Sequence, residues 1–355
     1  MFLAIREIRK YKLRYSLIGV VLVLIAYLIF VLTGLANGLA ASNRTAIDSW
    51  DANQIVLNED ANGSLTQSTL NQQQADHFNQ SNQAALVQLN ANVNRVGHQE
   101  KTGAQILGIK ANQFISRKMK IEQGRKFRNN HEVVVDDSLL KNDGYRIGDF
   151  IKIASHRQKY QIVGSVSNNQ LSVAPVIYGS LTAVQQMKFG TTSQAPISAV
   201  VIKDNAHHKA VNGTTTLAMN DFINKLPGYT AQNNTFNFMI GFLLVITLFI
   251  VAIFLYVLTI QKIPYLAVMK VQGISNGYLV RSIIGQAAIL GVIGVLISGG
   301  LTAITVIAIP SSVPIQFNYL LMGSIAVLLV IMTIVGALIP IRTVTKIDPA
   351  TVIGG

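Results

Sequence analysis

Three long segments of this chain of 355 residues contain no charged side chain. Each is bounded by basic residues, at Arg14 and Arg44, at Lys225 and Lys262, and at Arg281 and Arg342. About 20 apolar residues are enough to cross a bilayer as a helix, and the third segment is long enough for two crossings. The sequence therefore predicts an α-helical membrane protein with four transmembrane helices.

Pro310 and Pro314 lie near the middle of the third segment and predict a turn there. The arrangement is thus one helix, a large domain and three further helices. The predicted segments are, in order, an amphipathic N-terminal helix at 1–15, a transmembrane helix at 16–40, a domain at 41–237, a second transmembrane helix at 238–261, a coupling helix and loop at 262–282, a third transmembrane helix at 283–309, a short outer loop at 310–316, a fourth transmembrane helix at 317–340 and a tail at 341–355.

Basic residues are distributed unevenly around these helices, which predicts their orientation. They cluster before the first helix, between the second and third, and after the fourth, whereas the loop at 310–316 has no charge. Short basic flanks mark the cytoplasmic side of a membrane. Both termini are therefore expected in the cytoplasm and the domain at 41–237 outside, in a multi-pass protein of the cell membrane. A cleaved signal peptide is the alternative for the first helix, but its apolar run exceeds the usual ~7–15 residues.

The formal net charge of +13 does not by itself indicate nucleic-acid binding, because much of the basic excess flanks the predicted helices. The segment 1–15 alternates apolar and basic residues and is expected to lie as a helix on the inner membrane surface. The chain has no cysteine, which excludes disulfides, thiolate catalysis and thiolate metal sites.

The domain at 41–237 is predicted to be a mixed α+β domain. Patterns of β-branched and alternating residues predict strands at 54–57, 133–135, 145–153, 159–164, 173–178 and 199–202, the third and fourth paired as a hairpin. Helices are predicted near 180–188 and 215–225. In the polar segment 59–83, either a helix begins at 66–69 or the segment forms a flexible loop.

Gly34 and Gly38 form a GxxxG pair at the end of the first predicted transmembrane helix. Small residues at this spacing allow a second helix to approach closely. The alternative is a chance match, since such pairs are common in apolar helices.

Familiar catalytic motifs are absent from the sequence. It lacks the phosphate-binding loop of ATPases, the H-E-x-x-H zinc motif and the G-x-S-x-G nucleophile motif. His207 and His208 are expected to be solvated loop residues rather than metal ligands, and Asp136 with Asp137 to form a solvated turn. The predicted spans contain no Asp, Glu, Lys or His, which an ion-coupled transporter usually needs. The energy for transport is therefore expected to come from a partner, and the chain itself is expected not to be an enzyme.

The segment after the second span predicts a short helix presented to the cytoplasm. Pro264 can occupy its first turn, where a missing N–H costs nothing, and Gly273 can cap its end. Lys270 is expected to be exposed. The expected apolar surface consists of Leu266, Val268, Met269 and Val271. Such a helix can dock in a groove of an ATPase subunit; the alternative is a linker helix buried against lipid.

Three motifs carry a resemblance to a known family: MFLAIREIRKYKLRYSLIGV at the start, TIQKIPYLAVMKVQGISNGYLVRS after the second span, and KIDPATVIGG at the end. In these the chain resembles the permease subunits of MacB/FtsX-like (type VII) ABC transporters, and in particular haem-exporter permeases of the HrtB type. The resemblance implies a homodimer in the lipid bilayer, bound to two copies of a cytoplasmic ABC ATPase that carries ATP and Mg²⁺, with no nucleic acid. It assigns ATPase coupling to Pro264, Leu266, Met269, Lys270 and Gly273.

The resemblance also implies haem as the substrate, with no cofactor held by this chain. It places substrate contacts at Tyr229, Gln232, Phe236, Phe238 and Met239. Haem takes an axial ligand such as Tyr or Met and an apolar pocket, so Tyr229 and Met239 are the possible iron ligands. Phe and Met at a membrane interface can also simply pack.

Other functions remain open on the sequence. The neutral amide of Gln232 is a poor iron ligand, which leaves export of other amphipathic compounds or antimicrobial peptides as an alternative. An FtsX-like mechanotransmitter that controls a cell-wall hydrolase is a further alternative. So is a signalling partner that presents antimicrobial peptides to a sensor kinase.

Overall fold

The computed structural model describes residues 2–78, 80–154, 156–204, 211–310 and 313–345. Its chain separates into two compact units. We call Met1–Gly38 with Asn234–Gly355 the helical unit, and Leu39–Asn233 the sheet unit. The predicted motif KIDPATVIGG begins at 346, so it lies outside the described residues, as do His207 and His208.

The helices over the described residues are, in chain order, α1 (Phe2–Lys10), α2 (Lys12–Ser49), α3 (Gln72–Asp76), α4 (Phe114–Lys118), α5 (Asp137–Asn142), α6 (Leu181–Phe189), α7 (Met219–Asn224), α8 (Tyr229–Ile260), α9 (Ile263–Val271), α10 (Asn276–Ala308), α11 (Tyr319–Gly336) and α12 (Leu338–Thr345), with a short 3₁₀ helix at Glu59–Ala61. The strands are β1 (Gln54–Asn58), β2 (Gln83–Arg95), β3 (Thr102–Ile109), β4 (Ile121–Gly124), β5 (Glu132–Asp136), β6 (Phe150–Ile153), β7 (Lys159–Val166), β8 (Gln170–Leu171), β9 (Ala174–Ser180), β10 (Ala199–Ile202) and β11 (Thr214–Ala218).

Four helical segments are long and apolar enough to cross a membrane: Lys12–Ser49, Tyr229–Ile260, Asn276–Ala308 and Tyr319–Thr345. The four apolar helices that the sequence predicts are therefore present. Two are longer than their predicted segments, because α2 continues to Ser49 rather than stopping at 40, and α8 begins at Tyr229 rather than 238. At its N-terminal end, the predicted helix at 1–15 is divided into α1 and α2 at Tyr11.

The helical unit is held together by close contacts at small residues. Ala4 of α1 is fully buried, and a Cβ added to Gly285 of α10 would lie 3.4 Å from the Ala4 Cβ. A Cβ on Gly336 of α11 would lie 2.8 Å from the Leu248 carbonyl oxygen of α8. Since at most a methyl group separates the backbones at these two points, the helices approach each other closely there.

The GxxxG pair is also closely packed, but its partner is a connecting segment rather than a helix. A Cβ on Gly38 would lie 1.9 Å from the Pro314 carbonyl oxygen, and one on Gly34 would lie 2.6 Å from the Phe317 ring. The Gln316 N–H donates a hydrogen bond to the Gly34 carbonyl at 3.0 Å. The two glycines thus anchor the connection between α10 and α11 against α2.

The sheet unit contains one sheet whose strand order is β11-β1-β10-β2-β3-β9-β5-β7-β4, with β6 paired to both β2 and β7. The pairings β2–β3–β9–β5–β7–β6–β2 close a ring of six strands. Closure removes the free edges of these strands. The long strand β2 makes this possible, because its start pairs with β10 and its end, from Val93 to Arg95, pairs with β6.

Several predicted elements are confirmed and others are corrected. Strands β1, β5, β9 and β10 lie where the sequence predicts them, β6 and β7 form the predicted hairpin, and α6 is the predicted helix near 180–188. The segment 215–225 is a strand, β11, followed by the shorter helix α7. In the polar segment the helix is α3, which begins after a capping box formed by Asn71 and Gln74, not at 66–69.

The expectation of a solvated turn at Asp136 and Asp137 was wrong for the first residue. Asp136 is 1% exposed and caps α5 by accepting a hydrogen bond from the Ser138 N–H. Its other oxygen accepts from the Asn169 N–H at 2.5 Å. Burial raises the pKa of the Asp136 carboxyl, while these hydrogen bonds oppose that shift. The residue is a buried structural cap.

Candidate functional site

The coupling segment predicted after the second span forms the helix α9, and both of its ends are built as the sequence predicts. Pro264 lies in the first turn. At the other end the Gly273 N–H donates to the Lys270 carbonyl at 3.0 Å, and the Ile274 N–H donates to the Met269 carbonyl at 3.1 Å. This is the Schellman arrangement, which requires a left-handed residue, and Gly273 has φ 89°. The cap therefore ends α9 at Val271, a few residues before α10 begins at Asn276.

The apolar surface expected on α9 is divided between its two sides. Leu266 and Met269 are buried in the apolar core of the helical unit, together with residues of α2, α8 and α10. Val268 and Val271 remain exposed, as does Tyr265, at 44%, 65% and 55% respectively. The periodicity of the sequence identifies the apolar positions but not which side of the helix the protein itself covers. The side of α9 open to a partner is therefore Tyr265, Val268 and Val271, and Leu266 with Met269 holds the helix in place.

A cluster of polar side chains lies directly beneath α9, and we call Glu7, Tyr15, Lys262, Ser282 and Gln286 the polar network. Lys262 Nζ donates to Glu7 Oε2 and to the Tyr15 hydroxyl, both at 3.0 Å. Gln286 Nε2 donates to Glu7 Oε2 at 2.6 Å and to Ser282 Oγ at 3.3 Å. The Tyr15 hydroxyl donates to Gln286 Oε1. Every polar group of the network that points inward thus has a partner.

Four separate stretches of chain meet in the polar network. Glu7 comes from α1, Tyr15 from α2, Lys262 from the turn between α8 and α9, and Ser282 with Gln286 from α10. The side chains of Lys262 and Glu7 are only 11% and 12% exposed, so their attraction is weakly screened. Lys262 Nζ also lies 5.3 Å from the ring centres of Tyr11 and Tyr15. Lys262, in the turn that leads into α9, is therefore bonded directly to α1 and α2, and through Glu7 and Gln286 to α10.

Sequence reasoning did not identify this network. In the sequence, Lys262 is a basic flank within the motif after the second span, and Glu7 is part of the N-terminal motif that carries the family resemblance. The available signal was Gln286, a polar residue with two hydrogen-bonding groups at the start of a long apolar segment. A side chain of that kind is costly to bury unless it finds a partner.

Two of the predicted substrate residues, Tyr229 and Gln232, lie at the start of α8 in the sheet unit. Tyr229 is 8% exposed and packs in the core that contains Trp50 and Phe222. Its phenol group lies beside the Arg44 guanidinium. Gln232 is half-buried, and its Nε2 atom has no hydrogen-bond partner within the described chain.

The other three predicted substrate residues lie further along α8 in the helical unit. Phe236 is half-buried, whereas Phe238 and Met239 are 69% and 43% exposed. Phe236 and Met239 are three positions apart and share one side of α8, and Phe238 faces another. Beyond them an exposed apolar face of α8 continues through Phe242, Ile246, Phe249 and Ile253. Met239 is thus the more accessible of the two possible iron ligands.

Clusters of His, Cys, Asp or Glu that could hold a metal ion are not found among the described residues. Two of the buried or half-buried carboxylates have structural partners: Glu7 pairs with Lys262, and Asp136 caps α5.

Two family models match the chain. Residues 16–215 match the MacB-like periplasmic core domain, and residues 237–349 match the FtsX-like permease C-terminal region. The first model covers α2 and nearly all of the sheet unit, and the second covers α8 to α12.

Individual relatives match over the whole chain, and a solved structure resembles part of it. A protein of Staphylococcus haemolyticus named "Putative hemin transport system permease protein HrtB" is 24% identical over 355 residues, covering 100% of this chain and 99% of that protein. A protein of the same name from Staphylococcus epidermidis is 26% identical over 362 residues, covering 100% and 99%. The extracellular domain of the noncanonic ABC-type transporter YknZ from Gram-positive bacteria is 13% identical with a TM-score of 0.32, covering 44% of this chain and 83% of that domain.

Four membrane-capable helices, with an α/β unit between the first two in the chain and a capped helix after the second, have the architecture of a membrane protein. The family matches then identify the group. The chain belongs to the MacB/FtsX-like permeases of ABC transporters.

Proposed function

We propose that this chain is the permease subunit of an ATP-driven exporter of haem. The observation that carries the proposal is the full-length match to two relatives whose names state hemin transport. Haem partitions into membranes, and a permease that removes it needs an apolar face with an axial ligand within reach. The exposed face of α8, with Phe238, Met239 and Phe242, has that character.

We assign the axial ligand to Met239 rather than Tyr229. Met239 offers an accessible thioether, whereas the Tyr229 side chain is enclosed in the core of the sheet unit and lies beside Arg44. Phe236 and Phe238, on the same part of α8 as Met239, then supply aromatic surface for the porphyrin.

The permease works as a homodimer with two copies of a cytoplasmic ATPase. The exposed residues Val268 and Val271 of α9 dock in the ATPase. When ATP closes the partner dimer, α9 moves, and Lys262 and the rest of the polar network carry that motion to α1, α2 and α10. Rigid-body helix displacement of this kind is a common switching mode. The basic flanks support an orientation with α9 inside and the sheet unit outside.

A haem titration tests the substrate assignment. Purified protein in detergent is titrated with haem and followed by visible absorption, for the wild type, Met239→Ala and Tyr229→Phe. We expect a saturable Soret shift that Met239→Ala abolishes and Tyr229→Phe retains, because the Tyr229 hydroxyl does not reach substrate.

Loss in Tyr229→Phe alone would reverse the assignment of the ligand. An equal shift in all three proteins, or no saturable shift, would exclude haem and direct the search to amphipathic compounds and peptides. Neither outcome would alter the ABC permease family of the chain.

A further inference from the structure

A large cavity of the helical unit lies beside α9 and shares no lining residue with the proposed haem site. It has a volume of about 880 Å³ and opens between α1, α9 and the start of α10. Its polar and cationic lining residues are Arg6, Glu7, Lys10, Lys262 and Ser275, and its aromatic and apolar lining residues are Tyr11, Tyr265, Met269, Ile274 and Tyr278. We call this cavity the basal cleft. Its volume lies in the range that binds small ligands, about 300–1,000 Å³.

The residues that line the basal cleft carry a net positive charge once the Lys262–Glu7 ion pair is set aside. Glu7 is the carboxylate among the lining residues, and it already accepts hydrogen bonds from Lys262 and Gln286. Arg6 and Lys10 are exposed and form no ion pair with a carboxylate in the described part of the chain. Among the described residues, these two cations of α1 therefore line the cleft without forming an ion pair.

The amino end of α10 adds to this positive potential. Ser275 caps the helix, accepting from the Tyr278 N–H, and both residues line the cleft. α10 has 33 residues, so its N-terminal dipole is fully developed and favours an anion. The cations of α1 and the end of α10 thus converge on one space from different elements.

The remaining lining is amphipathic. Met269 and Ile274 form an apolar floor that continues into the core of the helical unit. The rings of Tyr11, Tyr265 and Tyr278 are of the type that prefers the boundary between headgroups and acyl chains. Leu13 and Leu17 follow directly on α2 and are 87% and 59% exposed, as residues facing acyl chains would be. A free anion would use the cations but would leave the apolar floor uncovered.

We propose that the basal cleft binds the headgroup of an anionic phospholipid, with the phosphate beside Arg6, Lys10 and the amino end of α10 and the acyl chains toward the exposed leucines of α2. Basic pockets between helices on the cytoplasmic side are suited to such headgroups. The lipid would contact both α1 and α9. These two helices approach each other at this point, since Lys10 Nζ lies 6.0 Å from the centre of the Tyr265 ring. The inference rests on the inward orientation of this face given under the proposed function.

The test compares two charge-matched double variants of the full chain. Arg6→Gln with Lys10→Gln removes the cations of the cleft. Arg9→Gln with Lys12→Gln removes the same charge from exposed positions close by that do not line it. Each protein is titrated in neutral detergent with phosphatidylglycerol, phosphatidylcholine or inorganic phosphate, and bound molecules are counted by native mass spectrometry.

We expect one phosphatidylglycerol to be retained by the wild type and bound about 30-fold more weakly by the cleft variant, since each basic residue near a headgroup contributes roughly fivefold. The control variant should change by about twofold or less, because Arg9 and Lys12 do not contact the headgroup. Equal weakening in both variants would overturn the proposal in favour of general surface charge. Inorganic phosphate binding as tightly as the lipid would overturn it in favour of a free-anion site. Displacement of the lipid by the ATPase partner would assign the cleft to protein docking.

Failure of this proposal can be distinguished from failure of the proposed function. The haem-dependent Soret shift is measured on the same variants, and the cleft variant is expected to retain it. Loss of lipid binding with an intact Soret shift, or the reverse, separates the two sites.

Discussion

The Lys262–Glu7 pair gives the sharpest energetic prediction, because it lies at the centre of the polar network. The charged atoms are 3.0 Å apart, and the two side chains are 11% and 12% exposed. At an effective dielectric constant near 20, their attraction is about 5 kcal/mol. Removing both ions from water offsets most of that attraction. We therefore expect a net coupling energy of about 2 kcal/mol, within the range for residues of one network.

A double-mutant cycle measures this coupling. Glu7→Gln retains an acceptor for Gln286 but leaves Lys262 without its counter-charge, and Lys262→Met leaves Glu7 with the Gln286 donor. Each single variant should lose about 3 kcal/mol of unfolding free energy, because it leaves one ion poorly compensated. The double variant should lose about 4 kcal/mol rather than about 6, since it removes both ions.

The assay is unfolding of the full chain in mixed detergent micelles, followed by far-ultraviolet circular dichroism. Arg9→Gln is the control, because it removes an exposed charge from the same helix and should change the free energy by about 0.5 kcal/mol or less. Single-variant losses that add within about 0.5 kcal/mol would refute the reasoning, because they would show that water screens the pair.

Three further predictions follow from other parts of the molecule. Gly38→Ala should lower the unfolding free energy by about 1–3 kcal/mol in the same assay, because its Cβ would lie 1.9 Å from the Pro314 carbonyl oxygen. Gly19→Ala is the control: its Cβ would have no atom within 4 Å, so it should be neutral or slightly stabilising. Equal effects of the two substitutions would contradict the close packing at Gly38. Hydrogen bonds from Arg125 lower the pKa of Glu132 to about 2 from 4.5, so Glu132 should stabilise the sheet unit above pH 4.5 and lose that contribution as the pH falls towards 2. Unfolding of the sheet unit is followed by the fluorescence of Trp50, the single tryptophan. The same dependence of stability on pH in the wild type and in Glu132→Gln would contradict this prediction. Val268→Asp should weaken ATPase binding at least tenfold and leave the helical circular dichroism signal unchanged, because Val268 is exposed. Leu266→Asp should reduce the helical signal, because Leu266 is buried. The opposite pattern would reverse the assignment of the two sides of α9.

Local features of the sequence predict much of the helical unit. Uncharged segments of sufficient length identify four membrane-capable helices, and Pro264 with Gly273 predicts both ends of α9. These signals are contained within a few residues of each element, so a single sequence is enough to interpret them. Strands β1, β5 and β10 are predicted for the same reason, because their β-branched residues are contiguous.

The longest strand pair, β2 with β3, is not predicted from the sequence. Strand β2 is rich in Ala, Asn and Gln, which have low strand propensity, and its stability comes from pairing with β3, β10 and β6. Ring closure through β6 likewise joins Ile153 to Val93, which are far apart in sequence. Such partners cannot be assigned without the fold.

The candidate site shows the same division. Its residue types and the α9 caps are visible in the sequence, but the polar network joins Glu7, Lys262 and Gln286 over more than 240 positions. The sequence also does not show which apolar residues of α9 are already covered. Only the packed core distinguishes the buried Leu266 from the exposed Val268.

The central claim, that α9 faces an ATPase inside the cell while the sheet unit lies outside, is tested directly by cysteine labelling. The chain has no cysteine, so each introduced thiol is unique. Ser193→Cys in the sheet unit and Gln272→Cys at the end of α9 are both exposed positions. With a membrane-impermeant maleimide, the account predicts labelling at 193 in intact cells and at 272 only after the membrane is permeabilised. Labelling at 272 in intact cells, with 193 protected, would contradict it.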